Sequence, residues 1–206
     1  MKLYTTPGAP SPARVHFFAA EKGLELKAVP VNLMKGEHKT PEFRAISPNG
    51  RVPALQLEDG SVLCETMAIC RYLEAEHPQP NLFGVSALDQ ARIEMWNRMM
   101  EMEVLLPMGM TFRHTHPAMG VLEDQVTEFG EKQRAVSTRR LKRLNRELAD
   151  RPWIAGEQFS VADITAYCAI RYFRVAGFVI EPDWPELQRW YDAVSARPAA
   201  AACTLR

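Results

Sequence analysis

The sequence predicts two joined halves, a mixed α/β half followed by an all-helical one. Three observations carry this. Short strand-like and helix-like runs alternate through the first 77 residues in the order β-α-β-α-β-β-α. His77-Pro78-Gln79-Pro80-Asn81 then places two prolines in three positions, which stops a helix and stiffens a link. Beyond residue 85 the apolar periodicity is helical. The expected divisions are 1–77, a linker over 78–85, and 86–206.

Leu3-Tyr4-Thr5 reads as the first strand and Pro7-Gly8-Ala9-Pro10 as a loop. Ser11-Pro12 then has the form of a helix start, a hydroxyl at the N-cap and proline at the first helical position. Val15, Phe18 and Ala19 give that helix an apolar face, and Lys22-Gly23 ends it. Leu26 to Val31 is the second strand. Thr40-Pro41 repeats the cap-and-proline pairing for a short helix. Ser47-Pro48-Asn49-Gly50 is a turn, and Val52-Pro53 leads into the strand Ala54 to Leu57. Asp59-Gly60 signals a hairpin to the strand Ser61 to Cys64. Glu65-Thr66 opens a helix with Ala68, Ile69, Tyr72 and Leu73 on one face. A right-handed crossover makes the first two strands parallel, and the hairpin adds two antiparallel ones.

In the second half Leu88, Ile93, Trp96, Met99 and Met100 mark a long helix that Pro107 kinks or ends. Val121 to Asp150 is expected to be another, with Leu141, Leu144 and Leu148 near its end. Phe159-Ser160-Val161-Ala162-Asp163-Ile164 carries a capping box, Ser160 at the N-cap and Asp163 at N3, flanked by a Phe159–Ile164 staple. That capping role accounts for Asp163 without any catalytic one. A last helix runs from Trp184-Pro185 to about Arg197.

Composition excludes several functional classes. Apolar residues are 47% and charged residues 24% of 206, which is globular rather than disordered. Twenty-five basic residues balance 25 acidic ones, without the basic excess of a general nucleic-acid binder. No apolar run approaches the roughly 20 residues of a membrane span. Met1 to Gly8 has one lysine followed by polar and turn residues, unlike a signal peptide. None of the four cysteines lies in a Cys-x-x-Cys pair or at zinc-ligand spacing, so reduced thiols in a cytoplasmic protein, and no metal, are expected.

Five strings in order give the sequence a family likeness. They are Ser11-Pro12-Ala13-Arg14-Val15, His38 to Phe43, Asn49-Gly50-Arg51-Val52-Pro53-Ala54-Leu55, Glu65-Thr66-Met67-Ala68-Ile69 and Phe159 to Asp163. Together they resemble the cytosolic glutathione transferases over nearly the whole chain, and the bacterial theta-like or beta-like members in particular. The resemblance implies a thioredoxin-like N-terminal domain and an all-α C-terminal domain. It implies a cytoplasmic homodimer that joins glutathione to small apolar electrophiles, with glutathione as co-substrate and no further cofactor. A glutathione-dependent peroxidase or disulfide reductase, or a non-catalytic binding module of this fold, are the alternatives. An isomerase of the zeta type fits less well, because its Ser-Ser-Cys string has no match here.

Glutathione carries two carboxylates, one ammonium and a thiol, and its site must answer each. Glu65 and Thr66 sit where a strand meets a helix N-terminus, whose free amides and dipole suit a carboxylate. The Thr66 hydroxyl adds a donor, and Glu65 accepts from the ammonium; read locally, the pair is equally a helix cap with an exposed acid. The resemblance makes it the γ-glutamyl clamp. It also makes Val52-Pro53 a cis-proline corner whose main chain pairs with the cysteinyl backbone, where a trans proline opening a strand is the ordinary case. By position, His38, Lys39 and Arg51 resemble the contacts to the glycyl carboxylate. For the thiolate, Ser11 is the leading donor, with Thr5 or Thr6 and then Tyr4 behind it. The beta-like cysteine position is occupied by Pro10. Ser11 has a competing task, since it is also the expected cap of its own helix. Met108, Met110, Phe112, His114, Tyr172, Phe173 and Phe178 are candidates for an apolar electrophile pocket, with helix core as the plainer role for most of them.

Overall fold

The computed structural model describes residues 1–204. The chain forms two compact units: Met1–Asn81 together with the segment from Pro198, and Leu82–Arg197. The C-terminal segment therefore does not belong to the helical unit as expected. Residues 198–204 form 3₁₀ turns that pack on the first helix and bury Ala200 and Cys203.

The first unit is a four-stranded sheet in the order β2-β1-β3-β4, made of β1 (Lys2–Thr5), β2 (Lys27–Pro30), β3 (Ala54–Gln56) and β4 (Val62–Cys64). β1 runs parallel to β2 with Leu3 opposite Ala28, and antiparallel to β3 with Leu3 opposite Leu55. β3 and β4 form the hairpin expected at Asp59-Gly60, where Gly60 adopts a positive φ. Helices α1 (Pro10–Glu21), α2 (Pro41–Ile46) and α3 (Thr66–Glu76) complete the unit. Leu3, Val15, Phe17, Phe18, Leu55, Ile69 and Leu73 form its core. On α3 the buried face is Thr66, Ile69, Cys70 and Leu73, so Ala68 and Tyr72 lie outside the stripe expected of them.

Three chain reversals decide where the polar groups of this unit go. α1 begins one residue before Ser11: Ala9 is the N-cap and makes no side-chain hydrogen bond, while Pro10 is the first helical residue. Both Pro10 and Pro12 suit a first turn, and the helix uses both. Thr40 caps α2 as expected, its hydroxyl accepting from the Phe43 N–H. At the far end of α1 the buried Lys22 ammonium pairs with Glu74 and donates to the Pro80 carbonyl, tying α1 to α3 and to the proline-rich link.

The helical unit contains α4 (Ala87–Met100), α5 (Leu106–Thr115), α6 (Thr127–Glu147), α7 (Val161–Phe173) and α8 (Pro185–Ser195). Pro107 neither ends the first helix nor simply kinks it. A π-turn over Glu101–Leu105 joins α4 to α5, and Pro107 falls in the first turn of α5. Proline lacks the N–H that an unbroken α-helix needs there, and a wider turn removes the demand. α5 and α6 approach closely at Gly130, where a Cβ would lie 2.6 Å from the Thr115 methyl. α6 starts at Thr127, after a loop, rather than at Val121.

Asp163 lies in the centre of this unit and is fully buried. Its carboxylate accepts from the Ile154 N–H (2.9 Å), the Ser160 N–H (2.9 Å) and the Trp190 Nε1–H (2.8 Å), and from the Ser160 hydroxyl. Burial pushes its pKa up and these four donors pull it back down. One carboxylate thus joins the start of α7, the loop before it and α8. Asp163→Ala leaves three buried N–H donors without an acceptor, at about 1–3 kcal/mol each. The expected loss in chemical denaturation is about 3 kcal/mol or more, against about 1 kcal/mol for a cap alone. A variant of native stability that lacks activity would contradict this structural role.

Candidate functional site

A cleft of ≈ 110 Å³ opens in the first unit, lined by residues from α1, the turn before β3 and the β4–α3 junction. Ser11 and Arg14 come from α1, and Ser47, Asn49, Arg51, Val52 and Pro53 from the turn. Cys64, Glu65 and Thr66 close the third side. Pockets for drug-sized ligands run to roughly 300–1,000 Å³, so this cleft encloses one part of a peptide and leaves the rest in the open.

Ser11 is the second residue of α1 and does not cap it. Its hydroxyl has no hydrogen-bond partner among the described residues. Its N–H belongs to the unsatisfied first turn, whereas Pro10 and Pro12 on either side have no N–H at all. Ser11 therefore brings two donors to the cleft at the positive end of a helix. The rival hydroxyls are engaged or elsewhere. Thr5 is buried with Oγ1 3.1 Å from His16 Nε2, and burial lowers the His16 pKa to about 4. Thr6 does not line the cleft. Tyr4 donates to Gln56 Oε1 and sets its ring edge-on to Phe43, within the packing of the sheet.

The Val52–Pro53 bond is cis. Pro53 is buried, while the Val52 N–H and C=O have no partner among the described residues. Unpaired main chain just ahead of β3, beyond the end of its ladder with β1, can pair with an extended peptide as a further short strand. Ser47 braces this corner: its hydroxyl donates to the Arg51 carbonyl (2.9 Å) and accepts from the Arg51 N–H (3.2 Å). Gly50 packs so tightly on the His38 carbonyl that a Cβ would stand 2.7 Å from it, and its φ is +59°.

Glu65 is the N-cap of α3 at φ +71°, ψ +124°, the one non-glycine residue with positive φ among those described. Its exposed carboxylate has no partner among the described residues. Thr66 differs from expectation. Its hydroxyl donates to the Ser11 carbonyl (3.3 Å), so what Thr66 offers an anion is its main-chain N–H in the first turn of α3. The same bond ties the starts of α1 and α3 together.

Of the glycyl-end candidates, Arg51 lines the cleft while His38 and Lys39 do not. Burial, and then the charges of Lys39 and Arg44, lower the His38 pKa, so its imidazole is not the cation sought for a carboxylate near neutral pH. Met108 is fully buried in the helical unit and is withdrawn as a surface for electrophiles. Phe173 and Phe178 are buried as well, the latter beneath the Arg134 guanidinium. His114 Nδ1 accepts from the Val126 N–H. Phe112 and Tyr172 are half-buried, and Phe112 contacts the rings of His116 and Phe173. Arg14, Ser47, Asn49 and Cys64 line the cleft without having been singled out from sequence. A charged residue on the buried face of α1 was the available signal for Arg14. Among the described residues no three His, Cys, Asp or Glu side chains are placed to hold a metal ion, and no helix is long and apolar enough to cross a membrane.

Residues 10–76 match the glutathione S-transferase N-terminal domain family, and residues 97–198 match the C-terminal domain family. Glutathione S-transferase 2 of Saccharomyces cerevisiae is 36% identical over 203 residues, 97% of this chain and 87% of that protein. Maleylacetoacetate isomerase of Pseudomonas aeruginosa is 32% identical, over 97% of this chain and 93% of that one. The crystal structure of Gtt2 from Saccharomyces cerevisiae superposes with a TM-score of 0.91 at 34% identity, covering 98% and 100% of the two chains. A class Gtt2 glutathione S-transferase of Vibrio parahaemolyticus gives 0.85 at 37% identity, covering 98% and 96%. Family matches to both halves, together with near full-length relatives above 30% identity, agree with the fold, and the chain belongs to the glutathione S-transferase family.

Proposed function

We propose that the cleft binds glutathione extended along Val52 and that Ser11 holds its sulfur as the thiolate for attack on apolar electrophiles. One observation carries this reading: three sets of unpaired groups face the same cleft and match the ligand in order. The Glu65 carboxylate takes the ammonium, and the α3 first-turn amides take the neighbouring carboxylate. The Val52 N–H and C=O pair with the cysteinyl main chain. The Ser11 hydroxyl and N–H then meet the sulfur, and Arg51 supplies charge toward the glycyl end.

A thiol with an ordinary pKa near 8.5 is mostly protonated at neutral pH, and each unit of lowering requires about 1.4 kcal/mol of preference for the thiolate. Two donors and a helix N-terminus act in that direction. The thiol proton leaves to solvent, and the sulfur lone pair forms the new carbon–sulfur bond. In substitution the leaving group departs with the old bonding pair; in conjugate addition the π pair of the attacked double bond moves onto the activating group and the product is protonated from water.

The proposed setting is a cytoplasmic homodimer. Leu88, Met95, Met102 and Leu106 are all partly exposed along one face of α4, the π-turn and α5, at intervals of seven and then four residues. A second copy of the chain would cover this stripe. Sedimentation should give a particle of about twice 23.3 kDa. A monomer that persists at every concentration would count against the pairing.

Ser11→Ala tests the chemistry directly, now that the residue is free of a capping role. The thiolate absorbance of bound glutathione should titrate about one unit higher than in the wild type, and turnover at neutral pH should fall several-fold or more, with stability nearly unchanged. A profile that does not move would assign the sulfur to main-chain N–H groups and the helix dipole alone.

A further inference from the structure

We infer that Ser47 is a positioning residue for glutathione, acting through the peptide unit between Arg51 and Val52; the inference rests on the glutathione reading of the cleft. Ser47 is only 1% exposed, so it acts on the cleft through the main chain it holds. Its single hydroxyl contacts Arg51 twice, accepting from the N–H at 3.2 Å and donating to the carbonyl at 2.9 Å. The second contact is the informative one. The Arg51 carbonyl and the Val52 N–H belong to the same peptide group, which is planar and, unlike the next one, trans. Holding the carbonyl toward Ser47 therefore points the Val52 N–H directly away from Ser47. That N–H has no partner among the described residues, and Val52 lines the cleft.

A hydrogen bond to the carbonyl oxygen also polarises the amide, so the N–H at the other end becomes a better donor. Ser47 thus aims and strengthens the donor that meets the cysteinyl carbonyl of the tripeptide. Its own position is set independently of the ligand: the Ser47 N–H donates to the Phe43 carbonyl at the end of α2, and its carbonyl accepts from the Gly50 N–H. The sequence shows Ser47 only as the first residue of a Ser-Pro-Asn-Gly turn, where a hydroxyl is common for local reasons.

The test compares two ligands on one variant. Glutathione has the cysteinyl carbonyl; γ-glutamylcysteamine lacks it, together with the glycine, but keeps the γ-glutamyl end and the thiol. Calorimetric titration of Ser47→Ala should show glutathione binding about 3- to 10-fold weaker, the loss of one hydrogen bond's alignment. Binding of γ-glutamylcysteamine should stay within about twofold of wild type, because a ligand without the carbonyl makes no use of that hydrogen bond. Ser47→Thr, which keeps the hydroxyl, should restore glutathione affinity. If the alanine variant fails to fold, Ser47→Cys, with a weak donor in place of the hydroxyl, should show the same selective loss. Equal weakening of both ligands, or unchanged glutathione affinity, overturns the role. A wild-type chain that binds neither ligand overturns the glutathione reading, and this inference with it.

Discussion

The site depends on a backbone constraint at one residue, Glu65. At φ +71° and ψ +124° it occupies a conformation that L side chains rarely adopt, at a cost of order 1–3 kcal/mol. The surroundings keep it there. β4 pairs with β3 up to Cys64, α3 begins at Thr66, and the Thr66 hydroxyl is bonded to the Ser11 carbonyl. With both neighbours held, the only freedom left to the chain at 65 is to turn sharply. That turn leaves an unpaired carboxylate beside the first-turn amides of a helix, an acceptor and a set of donors within one residue of each other. An α-amino acid end has the complementary pattern.

The other two sides of the cleft follow the same logic of withheld partners. Pro10 and Pro12 remove the N–H groups flanking Ser11, so the start of α1 presents a concentrated pair of donors rather than a diffuse set. At the Val52-Pro53 corner the main chain stands outside the β1–β3 ladder, whose register ends at Ala54. Polar groups that the fold leaves unpaired at its surface are the ones available to a ligand. Those the fold needs, such as Thr5 on His16 and Asp163 on its four donors, are spent internally.

Much of the fold was legible because its signals are local. Asp59-Gly60 made the hairpin, Thr40-Pro41 started α2, and Ser160 with Asp163 built the box at α7. What was not legible depends on contacts between distant segments. Ser11-Pro12 is the better helix start on paper, because serine caps and alanine does not, yet α1 starts from Ala9-Pro10, and that difference decides whether the Ser11 hydroxyl is a cap or a free donor. The Thr66 hydroxyl, expected on the ligand, meets a carbonyl 55 residues earlier in the chain. Met108 suited an apolar pocket by residue type alone, and its face of α5, shared with Val104 and Thr111, is the one packed into the core. The segment from Pro198 reads as a tail and returns to pack on α1. Ser47 carried an ordinary turn signal, and its second bond to Arg51 had none.

Under the proposed glutathione reading the strain at Glu65 is retained because its carboxylate holds the ammonium, and Glu65→Gly separates the two. Glycine adopts this backbone freely, so the variant should be more stable than wild type by about 1 kcal/mol, after its greater chain entropy is counted. It should bind glutathione about 10- to 100-fold more weakly, having lost a charge-assisted hydrogen bond to the ammonium. Denaturant melts and calorimetric titration on the same sample measure both. A glycine variant that keeps wild-type affinity, with or without a gain in stability, would contradict a role for the Glu65 carboxylate in holding the ligand.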